Sequence, residues 1–182
     1  MNTNDVSVRT LEKKSFDALK GAFGYTNRLQ APRLVKVAIS TGTGKIKDKK
    51  KIEVIEKRLA EITGQKAAPR GAKKSIASFK VRQGDVVGYQ VTLRGNRMYD
   101  FLDKLVHIAL PRTRDFRGLS AKAIDSLGNM TIGIKENTIF PEAADEDLKD
   151  VFGLAITLVT TAKTEKEAEA FFRHIGIPLK EA

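Results

Sequence analysis

Two stretches of this chain alternate between apolar and polar side chains, and that period of two constrains the fold more than any other feature. In PRLVKVAIS, residues 32–40, Val35, Val37 and Ile39 fall on one side and Lys36, Ala38 and Ser40 on the other. In VVGYQVTLR, residues 86–94, Val87, Tyr89, Val91 and Leu93 share one side, with Gln90, Thr92 and Arg94 opposite. Successive side chains of a strand point to opposite faces, so each stretch predicts a strand with one core face and one polar face. Strands of that kind belong to a sheet that helices cover on one side only.

The segments between them carry a longer period. Val8, Leu11, Ala18, Leu19 and Ala22 predict an N-terminal helix ending near Gly24. Ile52, Ile55, Leu59 and Ile62 keep helical spacing before Gly64, a residue suited to a C-terminal stop. Met98, Phe101, Leu102, Leu105 and Ile108 predict a further amphipathic helix. QKAAPR reads as a short strand that Pro69 places at an edge or bend. IDSLGNMTIGI reads as a hairpin around Gly128-Asn129, and LAITLVTT as the last strand. Thr164 with Glu167 three residues on is a capping box opening the final helix. This order gives an α+β fold: an antiparallel sheet with one open face and helices packed on the other, built on a split β-α-β-β-α-β, ferredoxin-like core with a hairpin insertion. A length of 182 residues suits one domain with a proper core or two small ones; the reading is a single domain over 1–182 with an extended basic loop at 71–85. That loop, GAKKSIASFKVRQGD, is either long and exposed or a loosely held hairpin.

Charge narrows the class of partner. With 33 Lys and Arg against 22 Asp and Glu, the net charge is +11 and the isoelectric point near 9.8. Residues 33–51 hold seven basic side chains and one acid, Asp48, and residues 66–82 hold six basic side chains and no acid. Residues 136–150 reverse the balance, with six acids and one lysine. Clustered cations bind phosphates and release counterions, whereas a merely basic, inert surface has no need of clustering. An anion-binding side and a separate acidic side follow.

Catalytic and metal chemistry finds little support. Cysteine is absent, which removes disulfides, thiolate zinc sites and cysteine nucleophiles. No apolar run is long enough to span a bilayer and the first residues lack a signal core, so the expectation is a soluble cytoplasmic protein without a membrane partner. STGTGK, residues 40–45, resembles a phosphate-binding loop between a strand and a helix. A Walker loop, however, needs glycine where Ile39 stands and a hydroxyl where Ile46 stands. An anion nest at these glycines remains an alternative. His107 and His174 are the only histidines; the first lies among apolar helix positions and the second near a helix C-terminus, and neither belongs to a ligand cluster. Asp145, Glu146 and Asp147 are adjacent and read as a solvated acidic turn. No cofactor is expected. Phe79 beside Lys80 and Arg82 suits base stacking with phosphate contacts, while Tyr89 falls on the core side. From these residues the chain reads as a basic RNA- or DNA-binding α+β domain.

Longer motifs narrow it further. ITGQKAAPRGAKKSIASFKVRQG, VTLRGNRMYDFLDKLVHIALPRTRDFRGLS, GIKENTIFPE and ITLVTTAKTEKEA follow one another as in the bacterial large-subunit ribosomal protein L5 family, which binds 5S ribosomal RNA, and the resemblance covers about Phe16 to Pro178. It implies an open sheet face docked on 5S RNA, no catalysis, and 5S contacts at Lys36, Ser40, Gln65, Phe79, Thr92 and Arg94. It also implies a loop, with Lys73, Lys74, Ser75, Lys80 and Arg82, that reaches the peptidyl-site transfer RNA. Lys45, Lys47, Arg112, Arg114 and Arg117 are further RNA contacts on this view, with large-subunit ribosomal RNA a second partner. The acidic 136–150 stretch would meet a basic small-subunit protein across the subunit bridge. The family's first strand usually runs VVLNMGVGE; here the asparagine is Ser40, which keeps a donor and an acceptor on a shorter arm, and the acid is Lys45. The alternative is a general RNA-binding or RNA-chaperone protein outside the ribosome.

Overall fold

A computed structural model of the chain describes residues 7–46, 48–114, 116–143 and 151–180. Nine elements follow one another among them: α1 (Val8–Phe23), β1 (Leu34–Gly42), α2 (Lys49–Thr63), β2 (Ala68–Gly71), β3 (Val86–Leu93), α3 (Asn96–Lys104), β4 (Met130–Ile134), β5 (Leu154–Thr160) and α4 (Glu165–His174). The strands form one antiparallel sheet in the order β2-β3-β1-β5-β4. Without β4 that order is the split β-α-β-β-α-β arrangement, and β4 is the insertion, added beside β5. The fold is therefore α+β, as the alternation implies. Contacts divide the chain into two compact units: Met1–Val37 with Leu93–Ile132 and Thr157–Ala182, and Ala38–Thr92 with Gly133–Ile156.

In the first unit, α1 packs on α3 and α4. Its covered stripe is Val8, Leu11, Ser15 and Leu19, with Val8, Ser15 and Leu19 buried. Ala18 and Ala22, read as core, are exposed; Ser15 holds the inward position in their place because the spacing 8, 11, 15, 19 stays on one helical face. Ser7 Oγ donates to Asp103 Oδ2 at 2.8 Å and the Val8 N–H to Asp103 Oδ1 at 2.7 Å, so a carboxylate from α3 satisfies the start of α1. Met98, Phe101 and Leu102 of α3 and Leu105 beyond it are buried as expected, but Ile108 is 44% exposed. Residues Leu105–Ala109 form a π turn. Its extra residue shifts the helical phase, and Val106, Ala109 and Leu110 become the buried side chains. Phe171 and Phe172 of α4 are fully buried with ring centroids 6.0 Å apart.

Thr164 caps α4 by accepting from the Glu167 N–H at 3.3 Å. The return bond of the expected capping box goes one residue further back: Glu167 Oε2 accepts from the Lys163 N–H at 2.7 Å. The other carboxylate oxygen accepts from the Tyr25 hydroxyl, so this buried glutamate ties α4 to the chain that leaves α1. The hairpin expected around Gly128-Asn129 reduces to a single bridge, Ile124 with Met130. Asp125 replaces the rest of the ladder, its Oδ1 accepting from the Leu127 and Asn129 N–H groups at 2.9 and 2.8 Å.

Burial pushes the Tyr25 hydroxyl well above the ordinary tyrosine range, and Glu167 pushes it further. Burial and then Glu12 push Tyr99 up to about 12. An unfolded tyrosine ionises near pH 10. The native state therefore holds these protons longer, and the stability they contribute is complete below about pH 10 and lost as pH rises through the folded values. The expected result is a melting temperature that falls between about pH 10 and 12, with Tyr99→Phe and Tyr25→Phe each flattening part of the fall. Tyrosinate absorbance followed with circular dichroism checks it.

In the second unit, α2 supplies Ile55, Leu59 and Ile62 to the core, with Ile52 half-buried, and ends at Gly64 in the left-handed conformation at φ 67°. Asn137 is fully buried and closes two bonds to Phe152, one through its own N–H at 3.1 Å and one through Oδ1 at 3.2 Å. Gly88 approaches β1 so closely that a Cβ there would lie 2.6 Å from the Thr41 carbonyl oxygen. Across both units the strands show the predicted alternation. Val37, Ile39, Val91, Leu93, Leu154, Ile156 and Leu158 are buried, while Lys36, Ala38, Ser40, Gln90, Thr92, Ala155, Thr157 and Val159 are half-buried. The exceptions are Val35, 42% exposed, where Leu34 is buried instead, and the start of β3, where Val87 and Tyr89 are half-buried and Gly88 is buried. At the first residues of a strand, burial depends on what covers that end and not on the pleat alone.

Candidate nucleic-acid interface

Within the second unit, alternation along β1 and β3 places Ser40, Gln90 and Thr92 on half-buried positions opposite the core side chains. Pairing of β2 with β3 adds to them. Ala68 lies opposite Gln90 and Arg70 opposite Gly88, and directly opposed residues point to the same face. Arg70, exposed, therefore belongs with Gln90 and Thr92. The sequence reading counted it only within a basic run, because its face depends on a long-range register that no local pattern carries.

Gln65 follows the Gly64 cap. Thr63 Oγ1 lies 3.0 Å from the Gln65 carbonyl and 3.4 Å from its N–H, which holds this short turn. Tyr89 is half-buried, and burial followed by Glu56, to which its hydroxyl bonds, pushes its hydroxyl up. The core-side reading of Tyr89 thus holds, and it is no stacking platform.

The basic stretch after β2 is a hairpin. The Ala72 N–H reaches the Asp85 carbonyl at 2.8 Å, and Ile76 and Val81 exchange two backbone bonds at 3.0 and 3.3 Å. Ser75 Oγ accepts from the Gln83 N–H at 2.9 Å, and Asp85 Oδ2 from the Arg82 N–H at 2.8 Å. Its tip is a short 3-10 turn, Ala77–Phe79, closed by Lys80 at φ 52°, the single non-glycine residue in the left-handed region among the described residues. Phe79 stands 73% exposed there, with Lys73, Lys74, Lys80 and Arg82 all exposed around it. Ser75 has a structural task in the hairpin that the sequence did not reveal.

The glycine turn after β1 is not an anion nest. Neither Gly42 nor Gly44 takes the left-handed conformation common in nests, and the amides of Thr43 and Gly44 are already engaged. The turn is fastened instead by the Thr43 and Gly44 N–H groups, both donating to the Val87 carbonyl at 2.9 and 3.1 Å. Lys45 is exposed on it, and Lys47 lies outside the described residues.

In the first unit, Lys36 is half-buried on β1 and Arg94 exposed immediately after β3. Gly95 follows at φ 60° and ψ −140°, a conformation that only glycine adopts readily, and turns the chain sharply into α3. Arg112, Arg114 and Arg117 lie in the segment after the π turn, Arg112 and Arg117 exposed and Arg114 also at the surface. His174 Nε2 lies 2.8 Å from the Leu11 carbonyl, a packing role. Among the described residues no group of three or more His, Asp or Glu could hold a metal, and no helix is long and apolar enough to cross a membrane. Of the acidic stretch, Glu136 and Glu142 are exposed, while Asp145, Glu146 and Asp147 lie outside the described residues.

This is the class of α+β protein whose sheet keeps a polar, half-exposed side and whose cations sit on turns and a protruding hairpin. The family model described as ribosomal protein L5 matches residues 27–82, and the one described as the C-terminus of the same ribosomal family matches residues 86–179. The chain belongs to the ribosomal protein L5 family, a structural, non-enzymatic family, as its motifs suggested. It is 50% identical over 159 residues to large ribosomal subunit protein uL5 of Anaeromyxobacter sp. (strain K), covering 87% of this chain and 88% of the relative. The protein of the same name from Flavobacterium johnsoniae is 47% identical over 170 residues, 93% of each chain. That from Heliobacterium modesticaldum is 49% identical over 164 residues, 90% of this chain and 91% of the relative.

Proposed function

We propose that this chain is a structural constituent of the large ribosomal subunit that holds 5S ribosomal RNA on the polar side of its strands. Near-full-length similarity to large ribosomal subunit protein uL5 is the observation that carries this reading. The proposed 5S contacts are Ser40, Gln65 and Thr92 in the second unit and Lys36 and Arg94 in the first, with Phe79 contributed from the hairpin tip and not from the strands; exposure of Phe79 and Arg94 and partial exposure of the others support them. Arg70 joins this set through its register with β3. Ser40 takes the place of an asparagine with a shorter hydroxyl, and Lys45 adds phosphate affinity beside it. The hairpin lysines and Arg82 are assigned to the peptidyl-site transfer RNA, because their exposed side chains extend from a backbone that is itself hydrogen-bonded. Arg112, Arg114 and Arg117 are assigned to large-subunit ribosomal RNA, and the acids of 136–150 to a basic small-subunit protein. The proposed setting is the cytoplasmic ribosome.

The test is a titration of the full chain against 5S RNA, with transfer RNA and duplex DNA as competitors over a salt series. Arg94→Ala is expected to weaken 5S binding by about 1–3 kcal/mol, the range of a hydrogen bond to a charged group. Lys73→Ala with Lys74→Ala leaves 5S affinity nearly unchanged and lowers transfer-RNA affinity. Equal affinity for all three nucleic acids would favour a general RNA-binding or chaperone role instead. A larger 5S loss from the lysines than from Arg94 would overturn the division between strand face and hairpin. A steep salt dependence alone decides nothing, since non-specific binding has one too.

A further inference from the structure

The first unit contains an open pocket of about 510 Å³ that none of the assigned contacts uses. Arg9 and Lys13 of α1 and Arg28 and Arg33 of the segment before β1 stand around it. One carboxylate lies among them, Glu12, and it accepts the Tyr99 hydroxyl bond at 3.1 Å. Burial pushes the Glu12 carboxyl up, despite opposing effects of the Tyr99 bond, the Leu34 backbone and Arg33. The lining is therefore strongly cationic, with its single acid turned to a phenol and partly discouraged from ionising.

The pocket also sets a guanidinium against an aromatic ring. The Arg9 guanidinium lies over the Tyr99 ring, 5.8 Å from its centroid, and Arg9 is anchored to Asn96 Oδ1 at 3.2 Å. An arginine plane backed by an aromatic ring is a surface on which unpaired bases stack. Leu29, 83% exposed, stands at the rim. The turn that carries Arg28 and Leu29 is fixed by reciprocal capping. The Leu29 N–H donates to Asn27 Oδ1 at 2.9 Å, and Gln30 Oε1 accepts from the Thr26 and Asn27 N–H groups at 2.8 and 3.1 Å. A single exposed leucine means little. Here its backbone is hydrogen-bonded, it follows Arg28, and it lines the same pocket as the Arg9–Tyr99 pair, so it can supply the apolar contact that a base needs and a phosphate alone does not.

We propose that this pocket takes one unpaired ribonucleotide of an RNA strand, its phosphate on the Arg28 and Arg33 side and its base between the Arg9–Tyr99 pair and Leu29. An acidic peptide would use the cations but leave the stacking plane and the leucine unfilled. That the strand is RNA rests on the ribosomal reading above; the pocket is separate from the strand face and hairpin assigned there. 5S and large-subunit ribosomal RNA share this chemistry, and each is an arm of the test.

The experiment titrates the full chain with hexauridylate, and with hexaglutamate of similar charge, while recording the Leu29 methyl and Tyr99 ring resonances. Hexauridylate should shift both saturably, hexaglutamate should shift neither, and Arg28→Glu should weaken the effect at least tenfold. Because Arg28 is exposed on its turn, the melting temperature should not change; Arg28→Gln gives a smaller loss and confirms that charge, not folding, is read. Unmoved resonances, insensitivity to Arg28→Glu, or an equal response to hexaglutamate overturn the proposal. A 5S arm and a large-subunit RNA arm, read at the same two side chains, identify the source by which RNA competes with hexauridylate; competition by neither overturns the assignment to ribosomal RNA. Arg94-dependent 5S binding without any hexauridylate effect refutes the pocket and spares the ribosomal reading; the reverse result refutes that reading and spares the pocket.

Discussion

Phe171→Ala should cost about 3–5 kcal/mol of folding stability, the range for removing a buried aromatic ring. Phe171 is fully buried on α4, tilted against Phe172 at 51°, so its removal opens a cavity that the neighbouring ring cannot fill without leaving its own site. Native stabilities are themselves only about 5–15 kcal/mol, so the variant should sit close to unfolding at moderate temperature. Urea denaturation measures it, with the midpoint falling while the slope stays constant. Phe79→Ala is the matched control. It deletes the same ring from a 73% exposed position, so folding should change by no more than about 0.5 kcal/mol while RNA binding falls. Equal destabilisation by the two variants would mean that the burial difference between these phenylalanines is not real in solution.

Gly88→Val should damage folding and RNA binding together. A Cβ at this position lies 2.6 Å from the Thr41 carbonyl oxygen and 3.6 Å from the Gly42 Cα, both backbone atoms that cannot rotate away. β3 or β1 must move, at a cost of about 1–3 kcal/mol or more by the standard of overpacked cores. The displacement falls where the Thr43 and Gly44 N–H groups bond to Val87, and it precedes Gln90 and Thr92 on the same strand. A 5S titration alongside a thermal melt should therefore show both losses. Gly133→Ala on β4, where a new Cβ meets nothing within 4 Å, should leave both nearly unchanged. A Gly88→Val protein as stable as the parent would show that the close approach of the two strands is absent.

How far the sequence alone reached depended on how local each determinant is. The alternation of Val37, Ile39, Val91 and Leu93 needs only the pleat of one strand, and it placed the polar side correctly. Gly24 and Gly64 end α1 and α2 because the left-handed cap is a one-residue property. Ile108 was misplaced because a π turn changes the phase without changing composition; a periodic pattern assumes the period it tests for. Arg70 was missed because its face comes from pairing with Gly88, and Ser75 because its bond to the Gln83 N–H closes a hairpin that neither residue announces. The pocket around Tyr99 went unread, including the Asn27 to Gln30 capping that fixes its turn. What lies beside that turn was not legible, since Tyr99 reaches the pocket from a distant part of the chain.

The edge strand β2 has a consequence for the chain before it meets any RNA. An uncovered strand edge offers a row of free donors and acceptors to any other extended segment, including that of a second copy. Here the edge is four residues long, one of them Pro69, which has no N–H to offer, and another Arg70, which carries a charge into any intruding strand. The register also slips between Arg70 and Gly71, so a straight partner cannot follow it. At the β2 end of the sheet, a newly made copy therefore gives the strand of a neighbour little to pair with.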